Sequence, residues 1–341
     1  MSPAVARVSP FAVRVLIVIV SYRTAALTVA CLQSLHAEVS ADPSIRVVVV
    51  DNASGDAPEV AAAIAANGWE DWVTLTVAER NGGFSYGNNR GIEPALGWSQ
   101  PPDYFLLLNA DTEVRGRAVG TLVDFMDAHP TIGIAGSSFE NPDGSDWPLA
   151  FRFPTIAGQF EQAVRLGFVT RLLRRWVVPR VMKGETAEVD WVAGASMMIR
   201  RRVVEDIGLM DEAYFLYFEE VDYCLQAKRA GWPCWYVPQS RVMHICGQST
   251  GVSSPQQNSR PLPDYWFASR SRYFVKNHGV AYARLADLAF GIGLALRTLR
   301  RRLTGLVVAE PPGLLADFWR TSVLFLGDEA LRRRIGEASD V

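Results

Sequence analysis

The sequence predicts an α/β fold, a mostly parallel sheet with flanking helices, followed by a helical C-terminal appendage. Three observations predict it. Short apolar, β-branched runs alternate with longer segments of helical character between Val15 and Ala128. Several of these runs end abruptly in polar or acidic residues, where an open α/β sheet gathers its ligands. From Tyr282 onward, apolar stretches and arginine clusters read as helices alone.

The first strand is Val15 to Val20. Arg7 and Arg14 precede it, so the start superficially resembles a signal peptide. The run is short, β-branched and without a small-residue cleavage site, which favours a buried strand. A helix over Ala25 to Ala37, a strand over Arg46 to Val50 and a helix over Ala57 to Asn67 follow. Next come a strand over Val73 to Val77, a helix over Gly87 to Gly97, a strand over Tyr104 to Leu108 and a helix over Ala118 to Ala128.

The chemistry sits after the strands. The first ends in Ser21-Tyr22-Arg23, and the second in Asp51-Asn-Ala-Ser-Gly-Asp56. An acid there can accept from a base N–H or a ribose hydroxyl, and Tyr22 offers an aromatic face. The same residues also suit a tight turn and a helix cap. Arg80-Asn-Gly-Gly-Phe-Ser-Tyr-Gly-Asn-Asn-Arg-Gly91 allows close backbone approach, and its amides and Arg80 can reach a diphosphate. It is neither a P-loop nor a dinucleotide fingerprint. Tyr104 to Glu113 delivers Asn109 and Asp111 to a strand tip, where an acid can meet a phosphate-bound cation or cap the next helix.

Composition limits the alternatives. The 341 residues, 49% of them hydrophobic, can bury a large core, and a net charge of -2 gives no general ground for nucleic-acid binding. Cys31, Cys224, Cys234 and Cys246 form no CxxC pair, which fits a reducing compartment. No run of about 18 uncharged apolar residues appears, so no spanning helix is expected.

Together, Ser21-Tyr22, Asp51-Asn52, Asn81-x-Gly83-Phe84 with Asn88-Asn89-x-Gly91, and Leu108-Asn-Ala-Asp-Thr112 resemble glycosyltransferase family 2, in particular its rhamnosyltransferase-like branch. The resemblance runs from about Arg14 to Lys276. It implies a GT-A fold, an inverting mechanism, a nucleoside-diphosphate sugar donor and a divalent cation, Mn²⁺ or Mg²⁺. It further implies a donor site at Ser21, Tyr22, Asp51, Arg80, Asn81, Gly83, Asn89, Asn109, Ala110 and Asp111. The family's Asp-x-Asp is Asn-x-Asp here, which leaves the metal to Asp111 and the ribose or a metal-bound water to Asn109. The implied division is a GT-A domain over 1–280, with a nucleotide half at about 14–135 and an acceptor half at about 136–280, then an extension over 281–341.

In the second half, Ile132 to Ala135 reads as a fifth strand and Phe139 to Thr155 as a loop. Gln159 to Lys183 reads as a helix with Leu166, Val169, Leu173 and Trp176 on one stripe and arginines mostly elsewhere; it suits a membrane surface or a solvated packed helix. Trp191 and Gly194 resemble the family's acceptor wall, although Trp191 is equally read as core packing. Glu219-Glu220-x-Asp222 reads as acids at a helix start; a carboxylate lined by aromatics can also serve as a base. The resemblance makes Glu220 the general base, with Glu219 and Asp222 as alternatives, and brings His244 to the metal. Arg270, Arg272 and Lys276 resemble the family's closing basic motif, suited to a diphosphate or a helix's solvated face.

The apolar run Leu285 to Leu296, followed by Arg297, Arg300, Arg301 and Arg302, suits an interfacial helix, packing on the main domain, or dimerisation. The expectation is a cytoplasmic transferase, open to peripheral contact with the inner membrane face and to a homodimer. Its donor would be dTDP-rhamnose, with UDP- and GDP-sugars as alternatives, and its acceptor a saccharide or lipid-linked glycan. Two other classes compete. A nucleotidyltransferase lacks support, because Ser21 to Thr24 has no glycine-rich loop with lysine; a non-catalytic binding module would not need the three acids.

Overall fold

The computed structural model describes residues 12–147, 149–245, 261–305 and 310–335. The chain begins β1 (Val15–Ser21), α1 (Ala25–Ala41), β2 (Ile45–Asp51), α2 (Ala57–Asn67), β3 (Val73–Val77), α3 (Gly83–Leu96) and β4 (Tyr104–Asn109). It continues through β5 (Thr112–Arg115), α4 (Ala118–Ala128), β6 (Ile134–Glu140), β7 (Asp146–Trp147) and β8 (Leu149–Phe151). Then come α5 (Ile156–Val164), α6 (Gly167–Leu172), β9 (Pro179–Val181), β10 (Ala187–Val189), β11 (Ser196–Arg200) and α7 (Arg201–Ile207). Last are α8 (Glu219–Arg229), β12 (Cys234–His244), α9 (Asp264–Thr304), α10 (Leu314–Thr321) and α11 (Asp328–Ile335).

One large sheet runs in the order β10-β12-β6-β11-β4-β1-β2-β3, with β5 against β12 and β7 against β6; β8 and β9 form a separate pair. The first four strands are parallel, and their registers pair Ser21 with Asp51, Asp51 with Val77, and Val20 with Asn109. Their carboxyl ends therefore form one edge. The continuous apolar runs have a simple cause, since both faces of the sheet are covered. Val15, Ile17 and Ile19 pack with Cys31 and Leu35 of α1, Val60 of α2 and Leu122 of α4. Leu16 and Val18 pack on the other face with Tyr86 and Ile92 of α3 and Tyr223 of α8. Each such side chain contributes about 1.5–3 kcal/mol of burial.

The middle of the chain departs from expectation. The fifth strand starts at Ile134 and runs to Glu140, and much of the expected 139–155 loop is short strand. The single helix over 159–183 is two short helices broken at Arg165, which adopts φ 48°. Thr155 caps α5 by accepting from the Gly158 amide at 3.1 Å. The separation of Leu166, Val169, Leu173 and Trp176 onto one stripe is thereby lost, because only Val169 lies inside a helix. Helix α9 bends at Gly279 (φ 83°, ψ 166°), beside the domain boundary expected after residue 280. Among the described residues it alone is long and apolar enough to cross a membrane. Cys246 lies outside the described residues.

Candidate functional site

The site forms where the edge of parallel strand tips meets the start of α8. At the tip of β1, Ser21 is fully buried and accepts from the Thr28 hydroxyl at 2.9 Å, while Tyr22 is half-buried with the Arg23 guanidinium over its ring. The Asp51 carboxylate accepts from both the hydroxyl and the amide of Ser54, so the turn already uses it. Asn52 gives the expected donor loop its strongest tie: its Nδ2 donates to Asn81 Oδ1 and to the Gly83 carbonyl, each at 3.0 Å. The sequence motif contained Asn52 without assigning it a role. Arg80 is exposed, with its guanidinium 4.5 Å from the centre of the Tyr86 ring.

Gly83 and Asn89 serve the architecture. Gly83 has φ 86°, and a Cβ there would run into the Phe215 carbonyl, which accepts from the Phe84 amide at 2.8 Å. Only a glycine lets the loop come this close to the segment before α8. Asn89 is buried and saturated: it donates to the Met210 carbonyl and Glu212 Oε1 and accepts from the Met210 amide. Its expected nucleotide contact is therefore replaced by a structural one. Phe215 left no signal in the sequence, because it acts through its carbonyl.

At the tip of β4, Asn109 is half-buried and Ala110 and Asp111 are buried. Antiparallel pairing of β12 with β5 sets His244 opposite Thr112, and the Ile245 amide donates to the Asp111 carbonyl at 3.0 Å. That register puts His244 Nε2 3.3 Å from Asp111 Oδ1 and 3.5 Å from Asn109 Nδ2. Asp111 Oδ1 is enclosed without hydrogen-bonding geometry to any donor. An ionised oxygen in that state is costly unless something cationic completes it. A carboxylate and an imidazole form a mixed set that accepts Mn²⁺ or Mg²⁺, so the residues fit a divalent cation. Among the described residues no three His, Cys, Asp or Glu side chains group together, so the remaining ligands would come from donor phosphates or water.

The opposite wall is α8. Tyr217 and Phe218, immediately before it, both lie in the left-handed region, at φ 70° and 67°. Two consecutive aromatic residues there are strained, a condition that recurs at functional sites. The bend presents Glu219 and Glu220 at the helix start. Glu219 is buried, Glu220 is half-buried, and each has one enclosed oxygen, Oε2, with no hydrogen-bond partner. Burial raises the Glu220 carboxyl to about 7. Burial, and then the neighbouring Glu220 charge, push Glu219 well above the usual carboxylate range. Asp222 differs: Lys276 Nζ and Asn277 Nδ2 donate to its two oxygens, each at 2.6 Å.

Gly194 closes the gap between the walls. The Asn109 amide donates to the Ala195 carbonyl at 3.0 Å, and a Cβ on Gly194 would stand 3.7 Å from Glu220 Cβ and 3.1 Å from the Phe84 ring. The tip of β4, the donor loop and Glu220 thus converge on this glycine. Trp191 is stacked on Phe151 with centroids 4.0 Å apart and donates to the Arg152 carbonyl, so its ring supports the wall by packing.

The expected diphosphate group needs correction. Arg270 is fully enclosed, paired with Asp287 and bonded to Gln159, with Phe274, Phe290 and Phe318 around its guanidinium. A cation so enclosed cannot reach a ligand in the cleft. Arg272 and Lys276 both bind Asp211, and Lys276 also binds Asp222. They anchor α9 to the acid-bearing segment. Arg80 remains as the exposed cation on the donor loop.

Fold and site together define a GT-A glycosyltransferase. The chain belongs to the family described as glycosyltransferase-like family 2, whose model matches residues 12–260. It is 30% identical over 217 residues to N-acetylglucosaminyl-diphospho-decaprenol L-rhamnosyltransferase of Mycobacterium tuberculosis, covering 61% of this chain and 68% of the relative. It is 24% identical over 164 residues to rhamnosyltransferase WbbL of Escherichia coli K12, covering 48% and 60%. Among solved structures, the mannosyltransferase PcManGT from Pyrobaculum calidifontis, in complex with GDP-Man and Mn²⁺, superposes with a TM-score of 0.53 at 16% identity, covering 96% of this chain and 84% of that one. That likeness concerns the fold.

Proposed function

We propose that this glycosyltransferase moves L-rhamnose from dTDP-rhamnose, with inversion, to a hydroxyl of a lipid-linked or other saccharide acceptor in bacterial polysaccharide assembly. The carrying observation is Glu220, a half-buried carboxylic acid raised to about 7 whose Cβ stands beside Gly194. A base is most useful when its pKa lies near the working pH. Glu220 takes the proton of the acceptor hydroxyl as that oxygen forms a bond to the donor's anomeric carbon. The bond from that carbon to the diphosphate oxygen breaks on the opposite face. Asp222, saturated by Lys276 and Asn277, holds α8 to α9.

Asp111 and His244 would hold the divalent cation, with Asn109 on the ribose or a metal-bound water. Bound there, such a cation supplies positive charge that offsets the charge of a departing nucleoside diphosphate. Arg80, exposed on the donor loop, would meet the diphosphate, and Tyr22 and Asp51 would border the base and ribose. The rhamnosyl donor and the lipid-linked acceptor rest on the names of the M. tuberculosis and E. coli relatives. A cytoplasmic setting accords with Cys31, Cys224 and Cys234, which are buried free thiols.

The test is transfer from a panel of dTDP-, UDP- and GDP-sugars to an N-acetylglucosaminyl-diphospho-prenol, with Mn²⁺, Mg²⁺ or excess chelator. We expect dTDP-rhamnose to be used with a cation present, and Asp111→Ala to abolish the cation-dependent part of nucleotide binding. Preference for a UDP- or GDP-sugar would overturn the donor, and undiminished transfer in chelator would overturn the metal.

A further inference from the structure

Beyond the bend at Gly279, one face of α9 has no partner among the described residues. Leu285, Leu288, Ile292, Leu296, Leu299 and Leu303 are 42–78% exposed. Their spacing of three or four residues puts them on one stripe, about 27 Å long at 1.5 Å per residue. The opposite face is fastened to the protein: Asp287 pairs with Arg270, and Arg297 with Glu310. A helix held in this way cannot surround itself with lipid, so its apolar composition belongs to an interface.

Helix α6 starts beside the far end of this helix. Helix α5 packs tightly against α9, since a Cβ on Gly293 would meet Ala163 Cβ at 2.7 Å, and Arg300 donates to the Arg165 carbonyl. Phe168 and Leu172 beyond it are 70% and 74% exposed. Arg165, Arg171, Arg174 and Arg175 are exposed around them, and Arg302 is exposed at the end of the stripe. From residue 161 to 183 there are six basic residues against the single acid Glu161, in a chain whose net charge is -2. Concentrated positive charge beside an exposed apolar face is the complement of anionic headgroups over acyl chains.

We propose that this face, the outer stripe of α9 with the arginine-ringed α6, docks the protein on an anionic phospholipid bilayer, with α9 lying in the interfacial plane. The proposal is independent of the donor and acceptor named above, and its test reads no transfer.

The full chain is sedimented with vesicles of phosphatidylcholine alone and of phosphatidylcholine mixed with phosphatidylglycerol, at low and high salt. Ile292→Glu with Leu296→Glu removes the apolar centre; Arg171→Glu with Arg174→Glu reverses the charge. Thermal melting confirms the fold of each, and all four positions are exposed. We expect binding to the mixed vesicles that salt weakens, and a loss of about tenfold or more in each double variant. The proposal is overturned if the parent ignores mixed vesicles at low salt, binds neutral ones equally well, or binds as before with both variants. A dimer that the Ile292 and Leu296 changes dissolve, without vesicle binding, would likewise overturn it and assign the face to a second copy.

Discussion

Glu220 meets two conflicting demands, since burial makes a carboxylate a stronger base while making its charged form unfavourable. With Glu219 beside it also raised, the pair carries at most one comfortable charge near neutrality. Transfer should therefore rise with pH through about 7 as Glu220 ionises. Stability should run the other way. A carboxyl raised from 4.5 to about 7 binds its proton more tightly in the folded state, so its contribution is present below 4.5 and lost as pH rises through about 7. Glu220→Gln stays neutral throughout. Its melting temperature should exceed the parent's at about pH 8 and approach it at about pH 4–5, where both side chains are uncharged. A difference that shrinks as pH rises would mean that a partner stabilises the ionised carboxylate.

At the scale of elements, the close approach of the donor loop to the segment before α8 depends on Gly83. Gly83→Ala combines a forbidden contact with the Phe215 carbonyl and φ 86°, and should cost about 3 kcal/mol together with transfer. Gly116→Ala, at φ 59° with nothing within 4 Å, should cost roughly 1–2 kcal/mol and leave transfer intact. Chemical denaturation of both variants checks the difference; equal costs would mean that the loop yields. The same elements mark what the sequence makes legible. Val15–Ser21, Ile45–Asp51 and Tyr104–Asn109 announce themselves because layers on both faces require unbroken apolar runs. Thr112–Arg115 does not, since its four residues become a strand only by pairing with a partner more than a hundred positions away. Nor does the break at Arg165, where a residue other than glycine takes a left-handed turn. Asp111, Glu220 and His244 were visible through their motifs, whereas the fate of Arg270 depended on Asp287, an ordinary acid in an apolar run until the bend in α9 brings the two together.

Across the whole molecule, the node at Arg270 joins the C-terminal helices to the sheet domain. Arg270 bonds Gln159 of α5 and pairs with Asp287 across the bend, and Asp287 also accepts from the Ser322 hydroxyl and the Val323 amide, each at 2.7 Å. Asp287→Ala strands an enclosed cation and should cost about 3–5 kcal/mol, whereas replacing both partners, Arg270→Met with Asp287→Leu, should restore much of it. Denaturation of the single and double variants measures that coupling, and additive losses would refute it. This anchoring matters for function because Lys276 and Asn277, on the same helix, hold Asp222 and hence the start of α8 against the strand tips. The proposed function needs a donor site and a base, carried on separate elements, to share one cleft. Its most direct measurement is donor affinity alongside single-turnover transfer for Glu220→Gln. Affinity should stay near the parent's and transfer should fall by roughly 10²–10⁴-fold, the usual worth of a positioned base. Near-normal transfer by Glu220→Gln, with the large loss appearing instead in Glu219→Gln or Asp222→Asn, would contradict it.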